Sequence, residues 1–150
     1  TPVVAGAPGQ NISAYKIAED AGIQVVFGKT RELLSKSNSA IITSGTATLE
    51  AAILNTKHVI AYKTNAFNFA IANAVVRVDS IGLPNLILGE QLVPELIQTD
   101  CTADKIESKL NEVLSSEIQN EGFAEIRKRL GSSGASERIA EYVNKDLINP

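Results

Sequence analysis

A short stretch near the middle of the chain combines hydroxyl groups, a glycine and a carboxylate at a spacing that suits phosphate binding. The apolar run 39–43 leads directly into Ser44–Glu50, whose sequence is SGTATLE. The pattern predicts a buried strand, a tight turn and a helix that begins at once, with Glu50 about 6 Å along the axis from Thr46. The free N–H groups and positive dipole end of a helix start are suited to bind a diphosphate. The stretch therefore predicts a binder of a phosphorylated, sugar-bearing ligand.

Each polar residue of this stretch has a functional and a structural interpretation. Gly45 lacks a Cβ, so the backbone can approach a ligand closely there. The hydroxyls of Ser44, Thr46 and Thr48 lie near N–H groups that have no partner within the helix, but Ser44 could equally be an ordinary N-cap. Glu50 could accept hydrogen bonds from both hydroxyls of a ribose, or it could only complement the helix dipole. These alternatives stay open at this point.

The elements that would hold this stretch alternate between strands and helices. Apolar runs predict strands at 2–6, 23–27, 39–43 and 58–62. Helical patterns separate them at about 11–21, 31–37 and 46–54, with Thr30 expected to cap the second helix. Such alternation is typical of βαβ units and of a parallel sheet with right-handed crossovers. We therefore expect an α/β fold, a Rossmann-like parallel sheet flanked by helices.

The second half of the chain is predicted to be mainly helical. Before residue 100 we expect a helix at 65–78, a turn at 82–86, an extended run at 86–88 and a helical turn at 94–98. Helices then follow at about 103–115, 118–130 and 136–147, the first capped by Thr102. In open α/β sheets, ligands bind outside the carboxyl ends of the strands. We expect three segments to lie there, at 44–50, 62–67 and 83–98.

Composition and motifs exclude several classes of function. The net charge of −3 and pI near 5.2 leave no basic surface for nucleic acid. The glycine turn matches neither the phosphate loop of ATPases nor the dinucleotide fingerprint, and no nucleophilic serine elbow occurs. His58 has no histidine, cysteine or acid near it at ligand spacing, so a structural role is favoured. No carboxylate pair suits Mg²⁺, and we expect neither a metal nor a cofactor.

The chain has the size of one domain, with 150 residues. It contains no Met and begins at Thr1 directly in an apolar run, so we expect a piece of a longer protein. No apolar run is long enough to span a bilayer, and no signal-peptide pattern opens the chain. The single cysteine, Cys101, fits a reducing cytosol.

Five segments together carry a resemblance to a known family. They are Ser44–Ala51, Ala61-Tyr62-Lys63, Leu83-Pro84-Asn85-Leu86, Pro94-Glu95-Leu96-Ile97-Gln98 and Gly131–Arg138. In their order and spacing they resemble the lipid-A-disaccharide synthases, glycosyltransferases of the two-Rossmann-domain (GT-B) type. The resemblance covers about residues 39–143.

The resemblance implies an activity and a place in the cell. The family transfers 2,3-diacylglucosamine from its UDP conjugate to 2,3-diacylglucosamine 1-phosphate, which gives lipid A disaccharide 1-phosphate and UDP and inverts the anomeric centre. Residues 1–150 would be one domain, the C-terminal UDP-sugar-binding half, without its first strand and without the N-terminal domain that binds the lipid acceptor. The enzyme would lie in the bacterial cytoplasm, peripheral to the inner membrane, and this piece alone would have little activity.

The resemblance also implies roles for individual residues. Glu50 would hold the ribose, and the diphosphate would be bound by Ser44, Gly45, Thr46 and Thr48. The donor site toward the sugar would be lined by Asn85, Glu95 and Gln98, with Tyr62 available to stack on the ligand. Catalytic residues are not identified within this chain.

Two departures and several alternatives accompany the resemblance. The family's glycine-serine-arginine loop has no match here, and Lys57-His58 replaces a usual proline. A UDP-sugar epimerase of the same architecture is one alternative, and a non-catalytic α/β ligand-binding module is another. The apolar residues of the segment 67–76 could meet acyl chains at a membrane, although packing against the sheet would explain them equally well.

Overall fold

The structure, a computed structural model, describes residues 1–65, 80–132 and 134–148, with side chains up to residue 145. Within these ranges the strands are β1 (Val3–Gly6), β2 (Gln24–Phe27), β3 (Ser39–Ile42), β4 (Lys57–Tyr62) and β5 (Glu95–Ile97). The helices are α1 (Lys16–Asp20), α2 (Thr30–Lys36), α3 (Thr46–Ile53), α4 (Leu83–Leu88), α5 (Ala103–Ser115), α6 (Ile118–Leu130) and α7 (Ala135–Ile148). Short 3₁₀ turns lie at Ile12–Tyr15 and Gln98–Asp100.

The strands form two parallel sheets. In the first, β1 pairs with β2, and in the second the order is β3-β4-β5. The register of the second sheet places Ile42 opposite Ile60 and Ile60 opposite Glu95. Among the described residues, β1 and β3 do not pair with each other. The expected α/β fold with parallel sheets flanked by helices is confirmed.

Helix α3 lies between two apolar clusters, and two consecutive alanines of this helix pack into different clusters. Ala51 packs with Leu34 of α2 and Ile42 of β3. Ala52 belongs to the larger cluster, whose fully buried members are Ala52, Ile60, Val93, Phe123 and Ile126. Because both small side chains are fully buried, α3 approaches its neighbours closely and its orientation is fixed from two sides.

Most of the predicted elements are present. The first four strands, helices α2 and α3, and the helices after residue 102 lie where the apolar patterns indicated. Thr102 caps α5 by accepting from the Lys105 N–H at 3.4 Å. The first predicted helix is instead a 3₁₀ turn, capped by Asn11, followed by the short α1, and Gly22 follows it with φ +71°.

Three local predictions between residues 82 and 98 are wrong. Helix α4 stands where a turn at 82–86 and an extended run at 86–88 were expected; Pro84 lies in its first turn, and Gly89 ends it with φ +78°. Residues 95–97 form strand β5 instead of a helical turn, because Leu96 is buried and pairs with Ala61 of the central strand. The view that Pro94 starts a helix around Glu95 is therefore also wrong.

One predicted cap is wrong, and one predicted segment is outside the described residues. Thr30 is the first residue of α2, and the N-cap position belongs to Lys29, which makes no capping hydrogen bond through its side chain. The predicted helix at 65–78 and its apolar residues Phe67, Phe69, Ile71 and Val75-Val76 lie outside the described residues, apart from Asn65. Within the described ranges, no helix has both the length and the apolar character that crossing a bilayer requires.

Candidate functional site

The turn between β3 and α3 presents its backbone to solvent. Gly45 occupies the N-cap position with φ 151° and ψ −169°, a conformation that is essentially restricted to glycine. A Cβ on Gly45 would meet no atom of the described residues within 4 Å. Within the described part of the chain, no side chain caps this helix start, and Thr46 is exposed beside it. Among the described residues, the first N–H groups of α3 therefore have no side-chain acceptor.

Ser44 ties this turn to a segment that is distant in the sequence. Its hydroxyl donates to the carbonyl oxygen of Ile81 at 2.8 Å. The alternative that Ser44 is the N-cap is wrong, because Gly45 occupies the N-cap position and the Ser44 hydroxyl bonds Ile81 instead of a helix N–H. Ser44 thus fixes the distance between the start of α3 and the residues that lead into α4.

Thr48 is turned inward. It is fully buried, and its hydroxyl donates to the carbonyl oxygen of Gly45 at 2.7 Å. The Thr48 N–H donates to the same carbonyl at 3.2 Å. Thr48 therefore braces the glycine turn from inside, while the Thr46 hydroxyl stays at the surface.

Glu50 lies one turn into α3 and remains partly open to solvent. Its side chain is 34% exposed, and Arg31 of α2 lies close, with Nη2 3.6 Å from Glu50 Oε1. A carboxylate in this position can accept hydrogen bonds from a ligand that extends from the helix start. Arg31 was not predicted as part of the site. The sequence signal that could have found it is a cation in the first turn of a helix, where acidic residues are preferred.

Asn85 and Glu95 are joined in a buried network. Asn85 is 1% exposed; its Nδ2 donates to Val93 O at 2.8 Å and to Glu95 Oε1 at 2.7 Å. Its Oδ1 accepts from the N–H groups of Leu92 and Val93 at 2.9 and 2.8 Å. The amide of Asn85 thus holds the loop between α4 and β5, and its hydrogen-bonding groups face protein atoms.

The Glu95 carboxylate supports the segment that Ser44 also contacts. Its two oxygens accept from the N–H groups of Ile81 and Gly82, each at 2.9 Å. Glu95 and Ser44 therefore both bind the short stretch before α4, and Asn85 reaches it only through its hydrogen bond to Glu95. Direct contact of these three residues with a donor stays a prediction, since each of them already makes hydrogen bonds to protein atoms.

Tyr62 and Gln98 lie at the carboxyl ends of adjacent strands. Tyr62 ends β4 opposite Ile97, and Gln98 follows β5 with φ 52°. The Gln98 amide accepts from the Thr64 N–H at 2.8 Å and donates to the Thr64 carbonyl at 3.1 Å. The structure thus brings Gln98 against the segment after β4, and Tyr62 is half-buried beside it.

Two arginines of α6 bind the far ends of the helices that carry the site. Arg127 Nη1 lies 3.2 Å from the carbonyl oxygen of Ala52 at the end of α3. Arg129 Nη1 donates to the carbonyls of Ile87 and Leu88, at 2.7 and 3.0 Å, at the end of α4. Cations at helix C-termini satisfy free carbonyls and complement the dipole. Helix α6 therefore anchors α3 and α4 at their C-terminal ends.

His58 has the structural role that the sequence favoured. It is fully buried, its ring stacks on Phe123 with centroids 5.4 Å apart, and its Nδ1 lies 2.9 Å from Thr56 O. Gln119 binds the His58 backbone on both sides, at 2.8 Å each. Burial lowers the pKa of His58 to about 4, so the ring is neutral near pH 7.

The described residues show no metal cluster, and a surface depression includes only part of the predicted site. Within the described ranges, no group of three or more His, Cys, Asp or Glu side chains is arranged to hold a metal ion. A depression of about 480 Å³ lies between β5 and α5, away from the α3 start, and is lined by Glu95, Leu96, Asp100, Asp104, Lys105, Ser108 and Lys109. Of the predicted residues, it includes Glu95.

Comparisons with known proteins agree on one family. A family model described as lipid-A-disaccharide synthetase matches residues 5–143. A lipid-A-disaccharide synthase of Geobacter metallireducens is 32% identical over 146 residues, which are 95% of this chain and 38% of the relative. One from Sulfurihydrogenibium sp. is 38% identical over 116 residues, 75% of this chain and 30% of the relative. The chain thus spans well under half the length of these relatives.

Proposed function

The chain belongs to the lipid-A-disaccharide synthase family, and from this we infer that it forms the UDP-sugar-binding part of a glycosyltransferase. The reaction would move 2,3-diacylglucosamine from UDP to 2,3-diacylglucosamine 1-phosphate. The observation that carries this proposal is the open start of α3 at Gly45–Thr46, followed one turn later by the half-exposed Glu50. An anion-binding turn and a ribose acceptor lie together on one helix.

The diphosphate of the donor would bind at the start of α3. The N–H groups there lack a side-chain cap among the described residues, and Gly45 leaves room for close approach. The positive end of the helix dipole adds to the attraction. As the sugar is transferred, charge grows on the leaving diphosphate, so preorganised N–H groups would stabilise the transition state more than the bound donor.

The ribose of the donor would lie against Glu50. A carboxylate can accept from both ribose hydroxyls, and charged hydrogen bonds of this kind contribute about 1.5–3 kcal/mol. The Glu50 side chain is 34% exposed, which is compatible with contact to a ligand. Asn85, Glu95, Gln98 and Tyr62 are proposed to shape the donor site toward the sugar, Glu95 by fixing the residues before α4 and Asn85 by holding Glu95.

The described residues would be the C-terminal half of a two-domain enzyme whose other half binds the lipid acceptor. The chain covers 38% of the length of a Geobacter relative, which leaves room for a second domain. In doubly wound sheets the strand order reverses beside a central strand. Among the described residues, β1 pairs only with β2, and β3 pairs only with β4, so we propose a further parallel strand between β1 and β3. Exposed apolar residues of α7, namely Ile139, Tyr142 and Val143, also fit a larger assembly.

The location of the enzyme follows from its proposed substrates. Both carry acyl chains that reside in a membrane, while UDP-sugars are water-soluble on their nucleotide side. We therefore propose a cytoplasmic enzyme that contacts the bacterial inner membrane from one side.

The acceptor hydroxyl would attack C1 of the sugar from the face opposite UDP, which inverts the anomeric centre.

A titration followed by NMR tests the proposal. UDP added to the ¹⁵N-labelled chain should shift the backbone amides of residues 44–50 first, and uridine should shift those near Glu50 with lower affinity. Inorganic pyrophosphate alone should shift the amides at Gly45–Thr46. A UDP titration that leaves residues 44–50 unchanged would contradict the proposed donor site and would favour a ligand-binding module of another kind.

A further inference from the structure

The carboxylate assigned above to the ribose has a cationic neighbour on a different helix. Arg31 is the second residue of α2, and its guanidinium Nη2 lies 3.6 Å from Glu50 Oε1. The Arg31 side chain is 79% exposed and that of Glu50 is 34% exposed. The contact therefore joins the first turn of α2 to α3 at the protein surface, one turn from the glycine turn.

The position of Arg31 is unfavourable for its own helix. A cation in the first turn meets the positive end of the helix dipole, where acidic residues are preferred. Lys29 precedes it at the N-cap and makes no capping hydrogen bond through its side chain. Local rules of this kind are broken most often at functional sites. The stability of α2 therefore does not explain why an arginine stands at this position.

Lys36 on the same helix provides a contrast. It forms an ion pair with Glu32 at 2.8 Å, with the acid four residues before the base, and it stands in the last turn. This order and position support a helix directly. Lys36 is 74% exposed, much like Arg31. The two cations differ mainly in what they face, since Lys36 faces its own helix and Arg31 faces Glu50.

We propose that Arg31 is a positioning residue that holds the carboxylate of Glu50 in the orientation in which it accepts the hydroxyls of a ribose. This inference rests on the proposed function. An exposed pair contributes little to stability. It can still restrict the rotamers of the glutamate before the ligand arrives, so less side-chain freedom is lost on binding. An arginine suits this task because its guanidinium stays charged at every ordinary pH and therefore always attracts the carboxylate.

The geometry favours this role over a direct contact between Arg31 and the phosphates. The observed partner of the guanidinium is the carboxylate of Glu50, which lies about 6 Å beyond the first residue of α3 along its axis. A residue that acts through Glu50 affects every ligand that carries the ribose. A residue that binds phosphate affects only ligands that carry the diphosphate.

The test compares UDP and uridine binding to the chain by NMR titration, which also measures weak affinities. The variants are Arg31→Ala, Glu50→Gln, the double variant, and Lys36→Ala as a control that removes an equally exposed cation from the same helix. We expect Arg31→Ala to weaken UDP and uridine by the same factor, about twofold to fivefold. In the Glu50→Gln background, Arg31→Ala should change neither affinity, and Lys36→Ala should match the wild-type chain.

Each other result has a defined meaning. If Glu50→Gln leaves both affinities unchanged, the proposed ribose site fails and this inference fails with it. If Glu50→Gln weakens binding and Arg31→Ala does not, the ribose site stands and the positioning role is overturned. A loss with UDP but not with uridine, or an equal loss in the Glu50→Gln background, overturns it as well, because Arg31 would then act without Glu50. Amide spectra of each variant report whether the fold is kept.

Discussion

The hydroxyl of Ser44 donates to the carbonyl oxygen of Ile81 at 2.8 Å, across 37 residues of sequence. The N–H of the same Ile81 donates to the Glu95 carboxylate, which also accepts a hydrogen bond from the Asn85 side-chain amide. The glycine turn before α3 and the buried network before α4 are therefore parts of one hydrogen-bonded unit. Substitutions in this network would therefore change the affinity of a ligand bound at the turn, although the ligand does not contact the substituted residues.

Replacing Ser44 by Ala should lower the free energy of unfolding by about 1 kcal/mol, because the carbonyl of Ile81 loses its donor. Urea denaturation measures this change. Ser35→Ala is the matched control, since the Ser35 hydroxyl donates to Glu32 O within one exposed helix. A loss for Ser44→Ala that is no larger than the loss for Ser35→Ala would contradict the role given to this hydrogen bond.

Replacing Glu50 by Ala should weaken UDP binding by roughly 10- to 100-fold, because charged hydrogen bonds to the ribose are lost. Calorimetry or NMR titration gives the dissociation constant. Glu112→Ala serves as the control, since Glu112 is an exposed acid of α5 paired with Lys109. Unchanged UDP affinity in a folded Glu50→Ala variant rules out the ribose role.

Replacing Asn85 by Ala should destabilise the fold by roughly 2–4 kcal/mol, because buried groups of Val93, Leu92 and Glu95 lose their partner. The same change at exposed Asn111 should cost less than about 0.5 kcal/mol. Thermal unfolding compares the two. A stable Asn85→Ala variant with reduced UDP affinity would argue instead for direct contact with the donor.

His58 should make the stability depend on pH in mildly acidic solution. Its pKa falls from 6.5 to about 4 on folding because burial disfavours the charged ring. Above pH 6.5 the full stability is present. As the pH falls from 6.5 to about 4, the unfolded chain binds a proton that the folded chain does not. The free energy of unfolding therefore decreases by about 3 kcal/mol in total.

The variant His58→Phe isolates this effect, because the chain contains a single histidine and the aromatic contact with Phe123 is kept. Urea denaturation between pH 7 and pH 4 should give a shallower pH dependence for the variant than for the wild-type chain. Exposed carboxylates such as Glu117, whose pKa is lowered by its hydrogen bond to Lys57, titrate in both proteins and cancel in the difference. Equal slopes would contradict the assignment.

The strand, turn and helix around Gly45 could be predicted from the sequence because the signals are local. An apolar run, a glycine and the following apolar alanines each specify their own conformation. Strand β5 could not be predicted in this way. Leu96 and Ile97 are extended because β4 offers a parallel partner, and Pro94 before them looks like a helix start when the partner is ignored.

The position of the candidate site at a helix start could be predicted from the sequence, but the directions of its side chains could not. Hydroxyls and a glycine at a helix start favour anion binding, and this role of the site stays a prediction. Whether Thr48 faces solvent or the core depends on the packing of α3, and the structure turns it inward. Arg31 could not be assigned to the site from the sequence, because its partner Glu50 is distant along the chain and close only in the folded structure.

Arg127 and Arg129 anchor the C-terminal ends of α3 and α4 to the same helix, α6. If the proposed donor site is correct, the other end of each helix meets the ligand while the anchored end is held by α6. Substitutions of Arg127 or Arg129 would then weaken donor binding from a part of the protein that the ligand does not touch.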